Sequence, residues 1–139
     1  MTRDRRLDDD ATQGGDGVSG DIHVDEAARL CSSVAEALRD KHAQDILEID
    51  VQEVSGIADF FLLATALSEV NLQTLTEVAV EVFERSGLPV RVEGELSKRW
   101  RLVDCGGVVV HLFSREGRDY YRLERLFEDL PTRRIDAVD

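Results

Sequence analysis

Two cysteines, Cys31 and Cys105, are all that the chain has, and they form no paired motif. No disulfide framework or thiolate metal site can organise such a chain, and two reduced thiols in a reducing compartment are expected. No apolar run approaches the roughly eighteen residues of a membrane span. The opening stretch Met1-Thr-Arg-Asp-Arg-Arg-Leu-Asp-Asp-Asp lacks the apolar centre of a secretory signal, so a cytoplasmic protein that meets no membrane is expected. Basic residues are also scarce: 17 Lys and Arg stand against 29 Asp and Glu, a net charge of −12. Residues 21–92 hold most of the excess, with 14 acids against 5 bases, whereas residues 93–128 carry 7 of each. An acidic surface repels a phosphate backbone and attracts a basic protein, which disfavours direct, sequence-specific nucleic-acid binding.

Catalytic templates are missing as well. Neither GxxxxGK[ST] nor GxGxxG occurs, so no Gly-rich loop opens a helix to cradle phosphate. His23, His42 and His111 lie far apart, and none has a ligand partner three or four residues on. Ser55 and Ser68 lack a Gly-x-Ser-x-Gly elbow, and Cys105 has no flanking base. Glu48 and Asp50 do have the spacing of a two-metal carboxylate pair, and their plainer reading is a solvated strand face. No cofactor and no metal are expected.

What is present is one domain between two tails. Residues 1–20, acidic and Gly-rich, offer too little apolar surface to offset ordering and read as disordered. Residues 21–131 read as the folded domain, and 132–139 as a C-terminal tail. From Asp25 to Lys41, Ala27, Leu30, Cys31, Val34, Ala35 and Leu38 recur at helical spacing. Ile46 to Val51 alternates as a half-buried strand, and Phe60 to Ala66 is apolar throughout, as a central strand covered on both sides would be. Ser68 is placed to cap a helix carrying Leu72, Leu75, Ala79, Val82 and Phe83, which Gly87 and Pro89 end. Three strands follow, Val90 to Glu93, Trp100 to Asp104 and Val108 to Phe113, the last two joined through Cys105-Gly106-Gly107. Ser114 is placed to cap a last helix bearing Tyr120, Leu123, Phe127 and Leu130, ended by Pro131. The order α-β-β-α-β-β-β-α requires an α/β fold with a mixed sheet, its one long crossover made through the middle helix.

Alternation puts Trp100, Leu102 and Asp104 on one side of their strand and Arg101 and Val103 on the other; Val109, His111 and Phe113 alternate with Val108, Val110 and Leu112. Either both faces are covered by the protein's own helices, or one presents an apolar patch edged with charge, the composition of a protein-binding surface anchored by Trp100.

The string Gly56-Ile-Ala-Asp-Phe-Phe-Leu-Leu-Ala-Thr65, then Ser68, Val92-Glu-Gly94, Trp100-Arg-Leu-Val-Asp104, Val108-Val-Val-His-Leu-Phe113, Arg118 and Tyr121-Arg-Leu-Glu-Arg-Leu126 resembles the ribosomal silencing factor, or Iojap-like, family over residues 24–130. The resemblance implies a mixed five-stranded sheet with flanking helices, nucleotidyltransferase-like in architecture but without the catalytic acids. It also implies a non-enzymatic role, in which the protein binds the large ribosomal subunit through its ribosomal protein fourteen and sterically blocks the small subunit, so that translation falls when nutrients are short. Ala66, Cys105-Gly106-Gly107 and Phe127 depart from the family pattern, the last keeping an aromatic ring where a Trp N–H is usual. Charge and resemblance together nominate Trp100 as apolar anchor, Asp104 and Glu93 as acceptors for a partner's Lys or Arg, and His111, Arg118 and Tyr121 as contacts or supports. A homodimer through the same surface is a second expectation. The rival reading, a nucleotidyltransferase-like enzyme or nucleotide-binding protein, rests on fold analogy and on Asp59, Glu48 and Asp50.

Overall fold

The computed structural model describes residues 17–135, with side chains from residue 25 onward. Helix α1 spans Gly17–Asp40, followed by strands β1 (Gln44–Asp50) and β2 (Phe60–Thr65), helix α2 (Glu69–Arg85), strands β3 (Arg91–Glu93), β4 (Trp100–Asp104) and β5 (Val108–Phe113), helix α3 (Arg115–Tyr121), a 3-10 helix over Leu123–Phe127, and strand β6 (Thr132–Arg134). The six strands lie in the order β3-β4-β5-β2-β1-β6. All neighbours pair antiparallel except β2 and β5, which are parallel. The crossover between that parallel pair passes through α2, as the element order requires.

Two expectations from sequence fail at the chain ends. Residues 132–134 form a sixth strand, not a tail: Arg133 pairs with Glu48 in register, and its guanidinium donates to the Glu48 carboxylate at 3.0 Å. Three exposed residues carry no apolar period, so only the open edge of β1 defines this strand. At the other end α1 begins at Gly17, so residues 17–20 belong to the helix and not to a disordered tail. Helix propagation from a packed segment adds one hydrogen bond per residue fixed and outruns weak local propensity. The remainder of that reading, residues 1–16, lies outside the described residues.

One face of the sheet is closed by α1 and α2. Ala27, Cys31, Val34, Ala35 and Leu38 from α1 and Leu72, Leu75, Ala79 and Phe83 from α2 pack on Ile46, Leu62, Ala64, Val103, Val108, Val110 and Leu112. Both ends of α2 are fixed by local hydrogen bonds. Ser68 accepts from the Asn71 backbone at 3.0 Å to start the helix; Gly87, at φ +78, lets Leu88 donate back to the Phe83 carbonyl at 3.2 Å. Among the described residues, no helix is long and apolar enough to cross a membrane.

The opposite face has a thinner cover. Ile49, Val51, Ala58, Leu63, Phe113 and Leu123 form a second buried cluster, flanked by half-buried Phe61, Trp100, Val109, Phe127 and Leu130. The single last helix expected from sequence is broken: Arg122 is left-handed, φ 48 and ψ 49, and separates α3 from the 3-10 helix. That turn brings Leu123 and Phe127 onto the sheet, while Tyr120, expected on the buried side, is 73% exposed.

The start of α3 is pinned against β4 by a close backbone approach. Ser114 donates its N–H to the Arg99 carbonyl at 3.1 Å, and a Cβ added at buried Gly117 would overlap that carbonyl. Gly117→Ala is therefore expected to lower unfolding free energy by about 1–3 kcal/mol, whereas Gly56→Ala, with nothing within 4 Å of the new methyl, changes little. Urea unfolding of both variants checks this, and equal stabilities would contradict the close approach.

Candidate functional site

The face opposite α1 and α2 gathers most of the aromatic side chains. Trp100 and His111 come from β4 and β5, Phe61 from β2, and Tyr121 from the last turn of α3. Trp100 stacks on Phe113 with centroids 5.2 Å apart, meets Tyr121 at 4.7 Å, and donates its indole N–H to His111 Nδ1 at 3.2 Å. The Phe61 ring lies 4.6 Å from that of His111. Strand alternation is what brings these residues to one side: Leu102 is opposite His111 in the β4–β5 register, and Trp100 is opposite Phe113.

His111 is 5% exposed. Because Nδ1 accepts from Trp100, the neutral ring carries its proton on Nε2, which is enclosed without a hydrogen-bond partner among the described residues. Loss of hydration disfavours the charged form and pulls its pKa down to about 4. His111 is therefore a neutral acceptor at neutral pH, beneath Trp100 and not beside a partner.

Asp104 and Glu93 stand at the edge of the same face. Arg91 joins them, its guanidinium 3.1 Å from Asp104 and 3.2 Å from Glu93, all three partly exposed. Asp104 also accepts the Gly106 N–H at 2.8 Å, which holds the Cys105-Gly106-Gly107 turn. A partner's cation would meet two carboxylates already sharing one guanidinium, a site with one net negative charge. Trp100 and Asp104 lie about 13 Å apart along the strand, while Glu93 is opposite Leu102 and Val109 is opposite Asp104, so apolar and charged residues adjoin along the face.

Arg118 does not join this surface. It is 5% exposed and donates to the Thr65 hydroxyl and the Asp45 carbonyl, each at 2.9 Å, and to Glu124 at 3.2 Å. It ties α3 and the 3-10 helix to β1 and β2, and supports the face from within. Tyr121, 42% exposed, is available for contact. Sequence reasoning missed Arg91, which sets the charge of the rim, and the exposed Tyr120 and Leu126. Leu102 and Val109, half-buried on this face, were already marked by the alternation that placed Trp100.

The remaining candidate acids and Cys105 lie off this face. Glu48 pairs with Arg133; Asp50 accepts from the Gln52 backbone at 3.1 Å and from its side chain. Cys105 and Asp59 line a cavity of about 550 Å³ between α1 and the end of α2, where burial pushes the Cys105 thiol up to about 11. It is a protonated thiol at neutral pH, not a nucleophile. Phe127 uses its ring alone, edge-on to Phe61 at 5.4 Å.

Known proteins share this chain's sequence and fold. The family model for "Ribosomal silencing factor during starvation" matches residues 24–139. The chain is 39% identical over 103 residues to ribosomal silencing factor RsfS of Bacillus subtilis, covering 73% of this chain and 87% of that one. It is 32% identical over 94 residues to mouse mitochondrial assembly of ribosomal large subunit protein 1, covering 65% of this chain and 41% of the relative. A crystal structure of a Chromobacterium violaceum protein superposes with a TM-score of 0.68 at 31% identity, covering 76% of this chain and 86% of that one.

The depressed pKa of His111 has a consequence for stability. Its folded value, about 4, lies below the ordinary 6.5, so the unfolded chain binds this proton more tightly. The stabilisation is complete above the ordinary value and is lost as pH falls toward 4, up to about 3 kcal/mol in all. The His111→Asn variant, with no imidazole to titrate, should lack this component when unfolding free energy is followed through that window. Identical acid profiles would show that His111 titrates normally.

Proposed function

The chain belongs to the ribosomal silencing factor family, and from that membership we propose that it binds the large ribosomal subunit and sterically blocks joining of the small subunit, repressing translation in the cytoplasm under nutrient limitation. The contact proposed on that subunit is its ribosomal protein fourteen. The observation that carries this reading is the face opposite α1 and α2, where a half-buried Trp100 is flanked by Tyr121 and followed along β4 by Leu102, with Val109 opposite Asp104, and where Glu93, Arg91 and Asp104 form the edge. An aromatic anchor in an apolar centre with a charged rim is the anatomy of a protein interface. The net charge of −12 fits a basic protein partner and opposes close approach to RNA. The starvation named in the family description and the large-subunit assembly named for the mouse relative support the same assignment.

A steric blocker needs shape and affinity, not a reaction. Of the three acids that the nucleotidyltransferase alternative would use, Glu48 and Asp50 are engaged by Arg133 and Gln52 and serve the fold, and Asp59 lies at the cavity beside α1, which neither of the others lines. The relation to nucleotidyltransferases stays at the level of architecture in this proposal. In free protein a second copy is proposed to cover the same apolar patch, in competition with the subunit.

Trp100→Ala is expected to abolish cosedimentation with separated large subunits, a loss of about 2 kcal/mol or more, while circular dichroism shows a folded protein. Cosedimentation undiminished in a folded variant would move the anchor elsewhere. Wild-type binding should also weaken as salt rises, through screening of the Glu93–Arg91–Asp104 rim.

A further inference from the structure

We infer that His111 is the positioning residue of the docking face: by accepting the indole N–H it fixes Trp100 as an anchor that offers its partner an apolar ring and no hydrogen-bond donor. This rests on the docking reading above and specifies the chemistry of that site. A tryptophan at an interface usually presents both an apolar body and a polar N–H. Here the N–H is spent inside the molecule, on a histidine that is 5% exposed, at 3.2 Å.

The arrangement leaves the indole little rotational choice. Phe113 stacks beneath it at 5.2 Å and 27°, Tyr121 closes one side at 4.7 Å, and the bond to Nδ1 sets which edge points into the sheet. Phe113 and Tyr121 restrict the ring through shape alone, so the hydrogen bond is the directional constraint. His111 is in turn held by its place in β5, opposite Leu102, and by the Phe61 ring. A ring fixed before contact loses less freedom on docking, which strengthens binding without adding any contact to the partner. The partner surface facing Trp100 is accordingly apolar, with a Lys or Arg placed toward the Glu93–Arg91–Asp104 rim. A carbonyl or carboxylate aimed at the indole N–H would find no donor.

Trp100 is the only tryptophan, so its indole proton gives one unambiguous nuclear magnetic resonance signal. In free wild-type protein that proton should exchange slowly with solvent. His111→Leu removes the acceptor at similar size and should speed exchange about tenfold or more and weaken large-subunit binding by a similar factor. His111→Asn, whose side-chain oxygen can occupy the place of Nδ1, should restore both. In a Trp100→Phe background, which has no N–H to accept, His111→Leu should cost no further affinity. Undiminished binding by folded His111→Leu, or an equal loss in both backgrounds, would overturn the positioning role. Failure of wild-type protein to bind large subunits would instead overturn the docking reading, and this inference with it.

Discussion

Six residues of β2, Phe60 to Thr65, run parallel to six of β5, Val108 to Phe113, and such a pair cannot be joined by a short turn. The chain between them must leave the sheet and return, and it does so through α2 and the β3–β4 edge. With α2 packed beside α1, both long helices occupy one face and bury nearly all of its apolar residues. The other face is left to the β1–β2 connection, which buries Val51 and Ala58, and to the segment after β5. That segment supplies seven residues of helix, a left-handed arginine and a 3-10 turn, too little to cover a sheet of six strands. The uncovered part around Trp100, Leu102 and Val109 is thus a consequence of topology, and the strands need no unusual residues to produce it.

That partial cover depends on a buried cation. Arg118 reaches the Thr65 hydroxyl, the Asp45 carbonyl and the Glu124 carboxylate from one guanidinium, which satisfies much of its donor set in a place where water is excluded. Removing one partner of such a group leaves charge uncompensated, a far larger penalty than losing an exposed pair. Around it, Arg115 bonds Asp45 at 2.6 Å and holds that carboxyl below its usual range. The short helix is therefore fastened twice: at its start, by Ser114 and Gly117 against the Arg99 carbonyl, and at its middle, by Arg118 against β1 and β2.

Where burial writes a period into the chain, the sequence was legible. The apolar stripes of α1 and α2, the alternation of β4, the continuous apolar run of β2 and the glycine turn before β5 appear where expected, and Trp100, His111 and Tyr121 do meet; β1 departs from the expected half-buried strand, since Ile46 is buried on one face and Ile49 on the other, and the Glu48 side chain, expected on a solvated face, is 13% exposed. Three features were illegible, each for a physical reason. Strand β6 is three exposed residues whose pairing is decided by the free edge of β1, and an edge has no sequence of its own. The break at Arg122 puts a bulky residue in the left-handed region, against local preference, because Leu123 must reach the sheet. The pairing of Arg91 with both Glu93 and Asp104 depends on the β3–β4 register, which brings Arg91 opposite Asp104 and cannot be read from spacing alone.

Arg91 changes what the acidic rim can do. Two lone carboxylates would attract any cation, and each would gain by pairing; two carboxylates already bridged gain less, since a newcomer must compete with a guanidinium in place. Exposed pairs of this kind are worth about 1 kcal/mol or less, so the bridge is easily exchanged and adds little to affinity. Its effect is on selection. In the proposed docking the bridge weakens the rim's field, and a partner must match the apolar anchor, about 13 Å from Asp104, as well as the residual negative charge. A basic surface without an apolar recess satisfies the second condition alone. In the proposed docking, discrimination among basic surfaces thus falls to Trp100, whose N–H is already committed to His111.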